Sequence, residues 1–420
     1  MGVLFLAALA LAGAPLFTVI GGAALLGFQG LSIDPAAVMV ELYRMANAPV
    51  LLAIPLFTFA GYLLAESQAP RRLLNLFRAL LGWLPGGVAV VSLASCAVFT
   101  AFTGASGATL VALGGLLYPI LLKEAYPERF SLGLLTTSGS LGLLFPPSLP
   151  LILYGVVAQT DVNRLFIAGI LPGALLLFIL SAYCLWSSTS LARRPFSARE
   201  AARAIRAAGW EIPLAPLILG GIYGGYFTAT EAAAVSAFYL LVVEVLIYRD
   251  LSPRRDLPRI MRESMILVGG ILLILGMALG LTSYLIDQEV PMRILEAMRS
   301  TLTSQLLFLL SLNLFLLAVG CLMDIFSAII VVVPLITPLA REFGVDPVHL
   351  GIIFLTNLEI GYSTPPVGLN LFIAGFRFDR PMAELYRASL PFLGLLLLAL
   401  LIITYWPDLS LLLVRWIWGA

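Results

Sequence analysis

Apolar residues fill long blocks of this chain, and the polar residues between them are short, mostly basic runs. A helix needs about 20 apolar residues to cross a bilayer. Blocks near 3–27, 48–66, 130–158, 164–190, 211–228, 229–248, 265–286, 350–376 and 386–407 fit one crossing each. Two stretches do not. Residues 86–122 hold no charge and residues 305–340 hold one, Asp324. Each is too long for one span, slightly short for two, and small or polar in the middle: TGASGAT at 103–109, GCLMD at 320–324. A lipid-exposed turn is forbidden, so these stretches predict two re-entrant hairpins whose tips lie inside protein.

Two other blocks carry proline pairs, GLLFPPSLPLILYG at 142–155 and GYSTPPVGLNLF at 361–372. Pro146, Pro147, Pro365 and Pro366 each remove a backbone donor and clash with a carbonyl a turn upstream, so both helices must break. Paired broken helices in corresponding halves of a chain mark the binding site of a secondary transporter. The halves do correspond. An offset of 219 residues sets Pro146 on Pro365, Gly142 on Gly361, Pro119 on Pro338, Gly61 on Gly280, and the tip at Ala105 on Asp324. Five predicted crossings separate the unit starting at 48 from that starting at 265, and an odd number inverts the second.

Arginines orient the chain. Arg193, Arg194, Arg199, Arg203 and Arg206 share one loop, and Arg249, Arg254, Arg255, Arg259 and Arg262 another. Both are cytoplasmic by the positive-inside rule, and Arg71, Arg72, Arg78, Arg377 and Arg380 fall on that side too. Segments 69–85 and 288–302 read as amphipathic arms in the headgroup plane that brace the units. In FTATEAAAV, Thr228 and Glu231 form a capping box, which makes Glu231 a helix-start residue.

Composition agrees: 420 residues, 61% hydrophobic and 11% charged, far below the roughly one-quarter of soluble domains. A net charge of +1 gives no reason to expect nucleic acid. Cys96, Cys184 and Cys321 read as small buried hydrophobes. His349, the one histidine, reads as an interface residue flanking a span. The apolar N-terminus lacks a basic lead and reads as a first span, not a cleaved signal.

The chemistry lies at the tips and breaks. Thr103, Ser106, Ser138, Ser140 and Ser148 surround the first; Asp324, Asn357, Ser363, Thr364 and Asn370 surround the second. These are hard oxygen donors, suited to an alkali cation. Asp324 has two open roles that can coexist, capping its own helix near Ser327 or serving a site. Glu359 is the other intramembrane acid, open to an ion site, a proton or a scaffold partner. No Arg or Lys precedes Lys123 and Arg341 in these elements, so an anionic cargo relies on helix dipoles, hydroxyls and a co-bound cation.

GASGATLVALGGLLYP, GSLGLLFPPSLPLILYGV and NLEIGYSTPPVGLNLF, with LLAIPLFTFAGYLL at 51–64 and FTATEAAAV, resemble the large membrane subunit of TRAP (tripartite ATP-independent periplasmic) transporters, in the ion-transporter superfamily. The likeness runs over nearly the whole length, and the order and spacing of the motifs are specific. It implies an all-α polytopic fold of inverted repeats and an elevator motion. It also implies Na⁺-driven uptake of an organic acid such as a C4-dicarboxylate or sialic acid. Implied partners are a separate small four-helix membrane subunit and an extracytoplasmic binding protein, at a bacterial or archaeal inner membrane.

Carried onto this chain, the likeness implies substrate contacts at Thr103, Gly104, Ala105, Ser106, Ser148, Asp324, Thr364, Pro365 and Asn370. It implies Na⁺ contacts at Thr103, Ser106, Pro146, Pro147, Asp324, Asn357, Gly361, Thr364 and Pro366. Ala105 lacks the hydroxyl of the usual family tip, and Glu359 stands where many members have a small apolar residue. The expected organisation is scaffold in 1–85, a first transport unit in 86–160, scaffold in 161–303, a second unit in 304–377 and a last span in 378–420. Two other readings are a stand-alone divalent-anion/sodium symporter and, through GASG at 104–107, a rhomboid-like serine protease. The protease would need His349 beside Ser106.

Overall fold

The computed structural model describes residues 14–30, 49–84, 86–188, 195–290 and 304–419, with a few isolated positions between them. Its elements are helices: α1 (Leu16–Gly30), α2 (Ala53–Glu66), α3 (Ala69–Leu81), α4 (Gly87–Thr103), α5 (Ser106–Lys123), α6 (Glu128–Ser138), α7 (Leu149–Val157), α8 (Val162–Ser187) and α9 (Ala198–Ala207). There follow α10 (Leu214–Tyr223), α11 (Ala229–Ile247), α12 (Asp256–Asp287), α13 (Gln305–Leu322), α14 (Ile325–Glu342), α15 (Pro347–Gly361), α16 (Leu369–Phe378), α17 (Met382–Tyr405) and α18 (Asp408–Trp418). Among the described residues, eight helical segments are long and apolar enough to span a membrane.

Both hairpins form as expected. α4 and α5 pair through a tip at Gly104–Ala105, and α13 and α14 through one at Met323–Asp324. Both proline blocks break: α6 stops at Ser138 and α7 resumes at Leu149, while α15 stops at Gly361 and α16 resumes at Leu369. The peptide bonds Pro146–Pro147 and Pro365–Pro366 are both cis.

The repeat shows in packing as well as text. A Cβ on Gly142 would meet the backbone of Ala97 and Ala101 in α4; one on Gly361 would meet the backbone of Gly320 in α13. Ala101 and Gly320 are themselves 219 residues apart, so the same close approach is made twice. Ser140 Oγ donates to the Glu359 carbonyl, 3.3 Å away across that same separation. The offset also lays α8 on α17, each with an internal proline, Pro172 and Pro391. Both helices pack tightly on the units: Gly169 of α8 faces the Leu144 carbonyl in the first break, and Gly133 of α6 faces the Ala388 carbonyl of α17.

Three expectations change. Residues 211–228 are not a full crossing. Their helix, α10, has ten residues, about 15 Å long, half a bilayer core. It starts after a turn ending in Pro213 and stops at Gly224, followed by Gly225 at φ +73°. The C-terminal region adds α18, bent back behind Pro407 and packed along α8. His349 is buried, 2% exposed, because that corner covers it. The second arm beyond residue 290 lies outside the described residues.

The first arm is α3, started by Pro70 and burying Leu73, Leu74 and Leu76 while Arg71 and Asn75 face out. It packs against α4 and α9. Arg72 pins it. The guanidinium pairs with Glu211 before α10, with Glu244 in α11 at 2.9 Å and with Asp250 at 2.6 Å, and its Cζ lies 3.9 Å over the Tyr248 ring. Burial alone would lower the Arg72 pKa, but the bonds to Asp250 and Glu211 and the charges of Glu211 and Glu244 outweigh it and hold it above the ordinary value. Burial pushes the Tyr248 phenol up to about 12.

Candidate functional site

The first tip closes on the first break. Gly104 ends α4 in the left-handed region at φ +65°, its amide bonded to the Thr100 carbonyl at 2.8 Å. Ala105 is extended and half-buried, and α5 starts at Ser106. Thr100 Oγ1 donates to the carbonyl of Gly139, the first residue of the break, at 2.8 Å. Its single proton being used, it accepts from Thr109 Oγ1 at 2.7 Å. Two hydroxyls thus tie both arms of the hairpin to the broken helix.

Elements from both halves meet there. Gly104 lies against Leu149 of α7, and Gly107 against Ile373 of α16. The position a Cβ on Gly139 would take is 3.3 Å from the Ser106 carbonyl and 3.6 Å from Asn370 Nδ2. Thr103, Ser106, Ser148 and Asn370 are all buried. Thr103 Oγ1, Ser148 Oγ and both polar atoms of the Asn370 side chain have no hydrogen-bond partner. A buried amide or hydroxyl left unpaired costs about 1–3 kcal/mol by mutational measures. Four such atoms lie in the elements around this one tip.

The second tip is stitched differently. Asp324 is an N-cap: its Oδ1 accepts from the amides of Phe326 at 3.0 Å and Ser327 at 3.1 Å. The Tyr362 hydroxyl accepts from the Ile325 amide, and the Gly368 amide donates to the Cys321 carbonyl at 3.1 Å. Asp324, Pro365 and Pro366 are exposed, whereas Pro146 and Pro147 are buried. Thr364 is half-buried, its hydroxyl donating to the Ile360 carbonyl at 2.8 Å. Gly361 is the last residue of α15 and packs on α13. Asn357, a turn earlier, gives its amide to Asn313 Oδ1 at 2.7 Å and to the Ile353 carbonyl at 2.8 Å.

Of the expected positions, Thr103, Gly104, Ala105, Ser106, Ser148 and Asn370 gather around the first tip, beside the break that holds Pro146 and Pro147. Asp324, Gly361, Thr364, Pro365 and Pro366 gather around the second. Thr100 and Thr109 were missed, although Thr100, Thr103, Ser106 and Thr109 recur every third residue across the tip. Glu359 is fully enclosed, and neither carboxylate oxygen has a hydrogen-bond partner.

His349 does not reach Ser106. Its Nδ1 pairs with Ser410 Oγ and its Nε2 with the Thr404 carbonyl, each at 3.2 Å. Both ring nitrogens are used at the α17–α18 corner, so the one imidazole in the chain is no base for a serine nucleophile. Replacing His349 with Ala should lower thermal stability by about 1–3 kcal/mol, the cost of a lost buried contact pair, and leave transport by the folded fraction intact. Melting curves beside uptake per folded molecule check this.

The folded chain is thus a polytopic membrane protein of two matching hairpin-and-broken-helix units. It shares that fold with the YdaH transporter of Alcanivorax borkumensis: TM-score 0.63 at 14% identity, covering 89% of this chain and 87% of that one. Residues 1–409 match the family model of the tripartite ATP-independent periplasmic transporter, DctM component. The C4-dicarboxylate TRAP transporter large permease DctM of Pseudomonas aeruginosa is 37% identical over 381 residues, 90% of this chain and 89% of its own. The isethionate TRAP permease DctMQ of Oleidesulfovibrio alaskensis is 36% identical over 95% of this chain, which spans 64% of that protein. The ectoine/5-hydroxyectoine permease UehC of Ruegeria pomeroyi is 34% identical over 96% of this chain and 95% of its own. This chain belongs to the DctM family of TRAP transporter large permeases, and is a transporter component rather than an enzyme.

Proposed function

We propose that this chain carries a small organic acid across a bacterial inner membrane, driven by Na⁺, as the large permease of a tripartite system. A small membrane subunit and an extracytoplasmic binding protein complete it, the latter delivering the cargo. Relatives are named for C4-dicarboxylate, ectoine and isethionate, which supports a small polar cargo without fixing which one.

The observation that carries this reading is the set of unpartnered buried atoms on Thr103, Ser148 and Asn370, beside the Ser106 carbonyl and the first break. Neutral hard oxygens suit Na⁺. The Asn370 amide, a donor as well as an acceptor, suits a carboxylate next to it. Asp324 and Thr364 at the second tip are the corresponding positions for cargo and a further ion. Thr103, Ser148 and Asn370 are neutral, so the ion completes the anion's pocket, and affinity for cargo should collapse when Na⁺ is withdrawn.

The two units, with α8 and α17 locked on them, shift as one elevator body against α1, α2 and α10–α12, while Arg72 holds α3 to the static side.

Asn370→Ala, Ser148→Ala and Thr364→Ala test the site in proteoliposomes with both partners and an imposed Na⁺ gradient. Each should raise the Na⁺ concentration for half-maximal uptake by about tenfold, the worth of one charge-assisted contact, with expression and melting unchanged. Unaltered Na⁺ activation in all three would move the ion sites elsewhere. Full uptake without the binding protein would favour the stand-alone symporter.

A further inference from the structure

Away from the tips, α3 and α9 enclose a cleft of about 530 Å³. That is the size of a small-molecule site. Its walls include Asn75, Arg78 and Trp83 from α3 and the turn after it, and Phe196, Glu200 and Arg203 from α9 and its lead-in. Three features single it out. Arg78 bonds Glu124 through Nη2 at 3.1 Å, but its Nε is buried with no hydrogen-bond partner. Arg203 and Glu200, one turn apart on α9, pair neither with each other nor with any other charged side chain among the described residues. Trp83 and Phe196, 47% and 56% exposed, stand at the rim.

Aromatic side chains of this kind settle where lipid tails meet headgroups, and α3 is a surface amphipathic helix on the arginine-rich side. The cleft therefore opens at headgroup level. It presents two guanidiniums, that of Arg203 without an ionic partner, and, a turn away, a carboxylate acceptor.

We propose that the cleft is a phospholipid site, with the lipid phosphate between the guanidiniums of Arg203 and Arg78, both of which line it, and a donor on the headgroup, an ammonium or a hydroxyl, on Glu200. Phosphatidylethanolamine and phosphatidylglycerol carry such a donor; phosphatidylcholine does not. Guanidinium forks match phosphate geometry, and basic pockets between helices on the cytoplasmic side are known lipid sites. The bound lipid joins α3, which leads directly into the first hairpin, to α9. This assignment does not depend on which ion drives transport.

The test uses the full chain, purified in mild detergent, stripped of lipid and offered equal phosphatidylethanolamine, phosphatidylglycerol and phosphatidylcholine in native mass spectrometry. The donor-bearing lipids should remain as one-to-one adducts about fivefold more than phosphatidylcholine, the scale of an exposed charge contact. Arg203→Gln should cut their retention to the phosphatidylcholine level. Glu200→Gln should narrow the gap between phosphatidylethanolamine and phosphatidylcholine. Arg206→Gln, on the same helix but off the cleft, should change nothing. Both arginines are exposed, so these variants fold, as matched melting curves will show. Equal retention of all three lipids, indifference to Arg203→Gln, or an equal effect of Arg206→Gln each overturns the proposal. Arg203-dependent binding of inorganic phosphate with no lipid preference would assign the cleft to a free anion and overturn it too.

Discussion

Valine at Gly142 or at Gly361 should cost about 3 kcal/mol or more of stability and abolish uptake, because neither site has room for a single added carbon. A Cβ on Gly142 would meet the Ala97 carbonyl and come within 2.5 Å of the Ala101 amide; one on Gly361 would come within 2.6 Å of the Gly320 Cα. These are backbone atoms, which cannot swing aside as a side-chain end would, and overpacking a core costs 1–3 kcal/mol even where side chains can adjust. Each glycine holds a hairpin arm against a broken helix, so the damage falls on the geometry of tip and break. Gly269→Val in α12 is the control, since nothing lies within 4 Å of its added Cβ. Melting curves and uptake of the three variants together decide the matter; a tolerated Gly142→Val would mean that the arm and break are not in backbone contact.

Arg72→Met should be as severe, by electrostatics instead of volume. It strands the carboxylates of Glu211, Glu244 and Asp250, the first two nearly fully buried. Removing one partner of a buried ion pair costs about 3–5 kcal/mol, since the remaining charge stays desolvated. Adding Glu211→Gln to Arg72→Met should recover about 1 kcal/mol or more, because one of the stranded charges disappears. Denaturation of the single and double variants measures this. Equal stability of the two would mean that Glu211 does not feel Arg72.

Much of this architecture was written in the chain. A charge-free stretch too long for one crossing leaves no choice but a hairpin, and two adjacent prolines leave no choice but a break. The Asp324 cap and the Thr228–Glu231 capping box are local, and both formed as read. What stayed hidden depends on residues far apart along the chain. Arg72 lies 139 to 178 residues from its carboxylates, and no pattern around any one of them signals the others. His349 read as an interface residue because a neighbouring stretch is polar, yet a corner 55 to 61 residues away closes over it. The α10 span was overestimated because hydropathy counts apolar residues, whether or not Pro213 and Gly224 let them be helical. The first-tip residues were legible as hydroxyls in a small-residue turn; that three of their kind and Asn370 stand around one tip needed the fold.

The two units share a blueprint but not a setting. Ser148 follows its proline pair in full enclosure, while its counterpart Val367 is 38% exposed. A thiol-reactive probe applied to cysteines at the two positions would therefore read opposite accessibilities in this state.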